Sequence, residues 1–257
     1  MASIDCKFFS DTLGMSSSMR VILPEPSRRQ IGRGASGSTE GDAKHPVLFL
    51  LHGLSDDETA WSRFSSIERY VATRGLAVVM PNVHRSYYTN MHHGYRYWDF
   101  VSDELLLKAR SLFPLSAERK HNYVAGLSMG GYGALKLGLS CPETFAAVAS
   151  LSGSCDLSGL RSRPEELALV FGKASNIRGA GGDLIQLAAD LSRSTRPKPK
   201  IYQCCGIEDS MLESNRRFRD VVAPLGFDLR YEEGPGLHDW AYWDAAIQRV
   251  LAWLPPP

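Results

Sequence analysis

The segment His121-Asn122-Tyr123-Val124-Ala125-Gly126-Leu127-Ser128-Met129-Gly130-Gly131-Tyr132-Gly133 sets a serine between two glycines in the pattern G-x-S-x-G. Alone the pattern is weak in a chain with 23 glycines. Its surroundings strengthen it: an apolar run leads in and Ala134-Leu135-Lys136-Leu137 leads out as a helix, the strand–turn–helix setting of an exposed nucleophile. A residue at so sharp a turn takes cramped dihedrals, and glycines two positions away on either side let the strand and helix backbones approach. The Ser128 oxygen then stands at a helix N-terminus, where free N–H groups and partial positive charge suit an oxyanion. The plainer reading is a glycine-rich helix start capped by Ser128.

A serine hydroxyl is a poor nucleophile without a base. Seven histidines are available: His45, His52, His84, His92, His93, His121 and His238. His238 is best placed, in Glu233-Gly234-Pro235-Gly236-Leu237-His238-Asp239-Trp240, between the last predicted strand and the last predicted helix, where an α/β sheet presents its chemistry. His121 opens the strand leading to Ser128 and so falls at the opposite edge. His92-His93 lacks a partner at metal-ligand spacing, so no metal site is expected. Asp209, closing Cys204-Cys205-Gly206-Ile207-Glu208-Asp209, is the carboxylate expected to orient the imidazole, and Ser128…Asp209…His238 is the chain order of α/β hydrolases. Glu208 competes with it; Asp239, next to His238, is expected to point elsewhere.

Two N–H groups are needed for the oxyanion. Met129 follows the nucleophile, and Leu54 lies in the loop Leu51-His52-Gly53-Leu54 after the first parallel strand. Gly53, Tyr88, His93 and Trp240 are the candidate substrate contacts. Tyr88 and His93 belong to the aromatic run Tyr87–Trp98, for which a pocket wall and a packed surface loop are equal readings. Trp240 and Trp243, three apart on the last helix, fit packing better than substrate contact.

These residues need a frame. Extended segments at Cys6–Phe9 and Met19–Leu23 open the chain as an antiparallel hairpin, the second alternating Met19, Val21, Leu23. Pro24 to His45 is rich in Gly, Ser, Arg and Pro, and reads as a flexible loop over about 25–45. Its Gly32-Arg33-Gly34-Ala35-Ser36-Gly37 is formally G-x-G-x-x-G but lacks the strand and helix that a dinucleotide site needs. Beyond it, apolar runs at Val47–Leu51, Leu76–Met80, Tyr123–Ala125, Phe145–Leu151, Ile201–Cys205 and Phe227–Tyr231 suit buried parallel strands. They alternate with predicted helices at Thr59–Thr73, Asp99–Phe113, Ser128–Leu139, Leu212–Val222 and Trp240–Leu254. The expectation is one domain over 1–257 of the α/β-hydrolase class: a mostly parallel, doubly wound sheet with the hairpin at one edge. Cys155–Lys200, the longest connection, is a candidate helical cap over the site.

Composition narrows the function classes. The chain has 257 residues, 44% hydrophobic, with 29 Lys+Arg against 28 Asp+Glu. A formal charge of +1 carries no footprint for nucleic acid or an anionic membrane. No apolar run nears the roughly 20 residues of a membrane span. The first residues carry neither a basic patch nor an apolar stretch, so no export signal is expected. Five cysteines without C-x-x-C spacing fit free thiols in a reducing compartment, hence a cytoplasmic expectation.

Taken together, Leu50-Leu51-His52-Gly53, Met80-Pro81-Asn82, Gly126–Gly133, Cys205–Asp209 and Gly236–Trp243 give the chain a resemblance to the putative-esterase (esterase D-like) branch of the α/β hydrolases, and within it to bacterial tributyrin esterases. The resemblance spans nearly everything from Val47 to Leu254. It implies hydrolysis of short-chain acyl esters through Ser128, Asp209 and His238 without a cofactor, with a small ester as partner, and it admits a homo-oligomer. S-formylglutathione hydrolase, feruloyl or acetyl-carbohydrate esterase and acyltransferase are neighbouring readings; a non-catalytic binding protein on the same fold is the remote one.

Overall fold

A computed structural model describes residues 1–25, 44–157, 164–173 and 176–255. The loop expected over about 25–45, with its Gly32–Gly37 motif, falls almost wholly outside the described residues. Eight strands form one sheet in the order β1-β2-β4-β3-β5-β6-β7-β8. β1 (Ala2–Ser10) and β2 (Met15–Leu23) form an antiparallel hairpin in register from Ala2↔Leu23 to Ser10↔Met15. It is longer than the apolar alternation predicts, because Ser16, Ser17 and Ser18 carry no apolar signal yet still pair along the ladder. β3 (Val47–Leu51), β4 (Ala77–Pro81), β5 (Asn122–Leu127), β6 (Ala147–Leu151), β7 (Lys200–Gly206) and β8 (Leu229–Gly234) run parallel, and β2 joins β4 antiparallel.

β3 to β6 are buried at every residue, which is why they read as unbroken apolar runs. Alternate side chains serve opposite faces: Val47, Phe49 and Leu51 enter one core while Leu48 and Leu50 enter the other. The second core is closed by α1 (Ala60–Phe64), α2 (Ile67–Val71) and, at the chain's end, α9 (Trp240–Trp253). Thr59–Thr73 is thus two short helices rather than one; Ser65 breaks them with extended backbone (φ −136°), its hydroxyl donating to the Trp61 carbonyl.

On the first face lie α3 (Tyr97–Asp99), a π-helical turn (Phe100–Glu104) and α4 (Leu105–Leu112) in unbroken succession, then α5 (Met129–Ser140). The same layer holds α6 (Pro164–Phe171), α7 (Leu184–Ser192) and α8 (Leu212–Val222). Glu104, in the π turn, accepts from Ser10 Oγ and from the Asp11 and Thr12 N–H groups, fastening the hairpin tip. The Cys155–Lys200 connection is not a cap throughout, because α7 buries Leu184, Ala188 and Leu191 in the core and packs on α5. α6 is the part that reaches the Tyr87–Trp98 run, accepting from the His92 and His93 N–H groups at Val170 and Leu169.

A lysine enters this core. Lys136 of α5 is buried, its Nζ donating to the Tyr88 carbonyl (3.2 Å) and Thr89 Oγ1 (2.8 Å) under the Trp98 ring (4.6 Å). Burial drags its pKa from 10.5 to about 7, with Asp99 pulling weakly upward. Between those values the unfolded chain holds a proton that the folded chain releases, so stability rises with pH across this window. Lys136→Met should remove that rise: unfolding midpoints of the parent should climb relative to the variant's from pH 7 to 9. Parallel profiles would refute the assignment.

Candidate active site

The site is built on a backbone contortion at the end of β5. Ser128 takes φ 53° and ψ −116°, outside the usual regions for a residue with a side chain. The turn is tight enough that a Cβ on Gly126 would sit 2.4 Å from the Gly130 carbonyl carbon, and one on Gly130 would sit 2.4 Å from the Leu51 carbonyl oxygen. Glycine at both positions is therefore a steric requirement, and it seats the start of α5 against the end of β3. Ser128 N–H donates to the Leu151 carbonyl (2.9 Å), and the Ser128 carbonyl accepts from Tyr132 N–H, the first turn of α5.

The hydroxyl of Ser128 lies 2.9 Å from His238 Nε2, and His238 Nδ1 lies 2.9 and 3.0 Å from the two Asp209 carboxylate oxygens. Three side chains spread over 110 positions of sequence thus meet at the carboxyl edge of the sheet. Asp209 follows β7 and is buried; burial pushes its pKa up, but hydrogen bonds from His238 and the Met211 N–H (2.8 Å) outweigh that and leave it below the usual carboxylate range. An ionised carboxylate on Nδ1 places the proton there and leaves Nε2 free to accept from the serine. The competing carboxylates are occupied elsewhere: Glu208 accepts from the Gly236 N–H (2.7 Å), and Asp239 caps α9 by accepting from the Tyr242 N–H (3.0 Å).

Behind the imidazole stands an aromatic wall. The Trp243 ring meets His238 edge-to-face at 4.9 Å, Trp240 meets Trp243 at 5.5 Å and Trp61 at 5.1 Å, and half-exposed Phe64 lies 5.2 Å from Trp240. Trp240 is therefore one tile of a packed cluster beside His238. His93 is exposed, its ring against His92 (4.4 Å) and its N–H on α6, so its contacts run to the α6 side rather than to Ser128 and His238.

The loop after β3 adjoins Ser128: a Cβ on Gly53 would lie 3.8 Å from the Ser128 Cβ. Its orientation rests on His52, which the sequence marks only as part of the turn with Gly53. Nδ1 lies 2.6 Å from the Gly53 carbonyl and Nε2 accepts from the Val83 N–H (3.1 Å), so Nδ1 carries the hydrogen and donates. Burial takes the His52 pKa down to about 4, which keeps the ring neutral and this tautomer in place at neutral pH. The Gly53 carbonyl and the Leu54 N–H share one trans peptide plane and point in opposite directions. Holding the carbonyl on His52 and the Asp56 N–H (3.2 Å) therefore turns the Leu54 N–H away from His52. The Met129 N–H, first in α5, has no intrahelical carbonyl to serve.

Tyr88 needs correction as a substrate contact. It is fully buried, with its hydroxyl donating to the His52 carbonyl (3.0 Å), so it cannot touch a ligand without leaving the core. Among the described residues no cluster of three or more His, Cys, Asp or Glu is placed to hold a metal, and no helix is long and apolar enough to cross a membrane.

The chain is similar to known proteins over almost its whole length. The Esterase family, described as putative esterase, matches residues 10–254. A fluorophosphonate-binding serine hydrolase of Staphylococcus aureus, solved with substrate bound, is 35% identical over 98% of each chain, with a TM-score of 0.87. An S-formylglutathione hydrolase of the same organism is also 35% identical over 98% of each chain, with a TM-score of 0.85. An acetyl esterase of Caldicellulosiruptor saccharolyticus is 28% identical over 99% of this chain and 98% of its own.

Asp209→Asn would keep the shape but offer an amide that can donate to Nδ1, favouring the tautomer with hydrogen on Nε2. A fall in kcat of about 10⁴ is expected for ester turnover, by analogy with the same change in other triads. A loss under tenfold would refute a role for Asp209 in orienting His238.

Proposed function

The chain belongs to the putative-esterase family, and on that footing we propose that Ser128, His238 and Asp209 are the catalytic triad of a serine carboxylesterase acting on short-chain acyl esters. The observation that carries this reading is the 2.9 Å approach of His238 Nε2 to Ser128 Oγ, with Asp209 on the far nitrogen. His238 takes the hydroxyl proton as Ser128 attacks the ester carbonyl. The Leu54 and Met129 N–H groups meet the tetrahedral oxygen, a contribution of about 3–4 kcal/mol per donor in comparable sites. The imidazolium returns its proton to the departing alcohol, leaving an acyl group on Ser128; water, deprotonated by His238, then releases the acid and restores the serine.

Support for small acyl groups comes from the similar acetyl esterase and S-formylglutathione hydrolase, whose names specify two-carbon and one-carbon acyl groups. The second of these favours a thioester reading, in which the same triad expels a thiolate. The two readings separate on kinetics: kcat/KM for S-formylglutathione set against p-nitrophenyl acetate decides which leaving group the site serves. A non-catalytic binding role would leave the imidazole–hydroxyl contact without purpose.

Ser128→Ala should abolish p-nitrophenyl acetate turnover and labelling by a fluorophosphonate. Retained burst kinetics in that variant would exclude Ser128 as the nucleophile. Across p-nitrophenyl esters, kcat/KM should peak at acetate to butyrate; a maximum at long chains would overturn the short-acyl preference.

A further inference from the structure

The loop after β4 concentrates strain. His84, Tyr87 and Tyr88 all take φ of 49°, the left-handed region that residues with side chains avoid. Such outliers persist only where the surroundings over-determine them, and here they do. Tyr88 N–H donates to Ser86 Oγ (3.2 Å) and Thr89 Oγ1 donates to the Tyr87 carbonyl (2.8 Å). Lys136 reaches across from α5 to hold the Tyr88 carbonyl and Thr89 Oγ1. All of this fixes where one buried phenol ring goes.

The ring lands against two structures at once. Its Cδ2 occupies the space beside Gly133, where a Cβ would come within 2.4 Å; Gly133 is one turn into α5, the helix that begins with Met129. Its hydroxyl donates to the His52 carbonyl at 3.0 Å, in the peptide unit next to the one bearing the Leu54 N–H. The two oxyanion donors sit on separate pieces of chain, a helix start and a loop, and Tyr88 bridges them.

We propose that Tyr88 is a positioning residue that sets the separation of the two oxyanion donors, with its ring resting on Gly133 of α5 and its hydroxyl holding the His52 carbonyl of the Leu54 loop. The proposal rests on the esterase reading above. Donors to an oxyanion must sit about 2.7–3.1 Å from the place its oxygen occupies in the transition state rather than in the bound ester. A helix keeps that precision by itself; a loop does not unless something rigid spans the gap. Tyrosine suits the span because its length is fixed and only its tip is polar. Gly133 serves the same end by letting the ring lie directly on the helix backbone.

Tyr88→Phe tests this, since it keeps the ring and removes one hydrogen bond. Steady-state p-nitrophenyl acetate kinetics should show kcat reduced about 10- to 100-fold, below the 10²–10³ lost when a donor is removed outright, with KM within about twofold. Affinity for a trifluoromethyl ketone, which forms a tetrahedral adduct on the serine, should fall by the same factor as kcat/KM. Affinity for the matching ether, which cannot form the adduct, should stay within twofold. Wild-type kcat and adduct affinity in the variant would overturn the proposal, as would equal losses for adduct and ether, which mark general damage to the site. Failure of the esterase reading would look different, because the parent enzyme would then not turn over the ester or Ser128→Ala would remain active.

Discussion

The constraint on which the rest depends is the backbone reversal at Ser128. A strand must stop and a helix must start within a single residue, and the cost is a left-handed conformation at a position that needs a side chain. Only glycines at 126 and 130 leave room, since any Cβ would enter the backbone of the neighbouring turn or of β3. The hydrogen bonds from Ser128 N–H to Leu151 and from Tyr132 N–H to the Ser128 carbonyl hold the reversal in place. Once it is made, the hydroxyl stands proud of the sheet, and every other member of the site has only to reach that one point.

What reaches it is arranged by peptide planes as much as by side chains. His52 acts through a carbonyl, Tyr88 through another, and the Met211 N–H steadies the carboxylate of Asp209. Protonation is handled by environment: burial keeps His52 neutral, while hydrogen bonds keep Asp209 ionised against the same tendency. Two histidines at the carboxyl edge of one sheet therefore have opposite duties, His52 to hold a tautomer permanently and His238 to contact the Ser128 hydroxyl.

The parts of this arrangement legible in the amino-acid order are those where steric necessity leaves a local trace. Gly126 and Gly130 flanking Ser128, the apolar runs of strands buried on both faces, and the helix at Leu212–Val222 are of that kind. The length of the hairpin was not legible, because Ser16–Ser18 pair by backbone alone. Nor was the division of Thr59–Thr73 into two helices, which turns on one extended serine. Tyr88 misled for a physical reason: an aromatic residue near a strand end has the same composition whether it faces a ligand or a helix, and only the vacancy at Gly133 tells them apart. Lys136 left no mark either, since a lysine in a helix reads as solvent-facing until the topology lays Thr89 and Trp98 over it.

His238 hangs from the outermost strand of the sheet. Among the described residues β8 pairs with β7 alone, and its other rim is guarded by Glu232 and Glu233 in ion pairs with Arg216, Arg219, Arg230 and Arg249. Those charges discourage a foreign strand from adding to the rim, but exposed pairs lend the strand little strength of its own. Fraying of that border would carry the imidazole away while leaving the serine turn, walled by β3 and β6, intact. Heating should therefore silence the molecule before it melts it, with an inert, still largely folded population lying between the working protein and the unfolded chain.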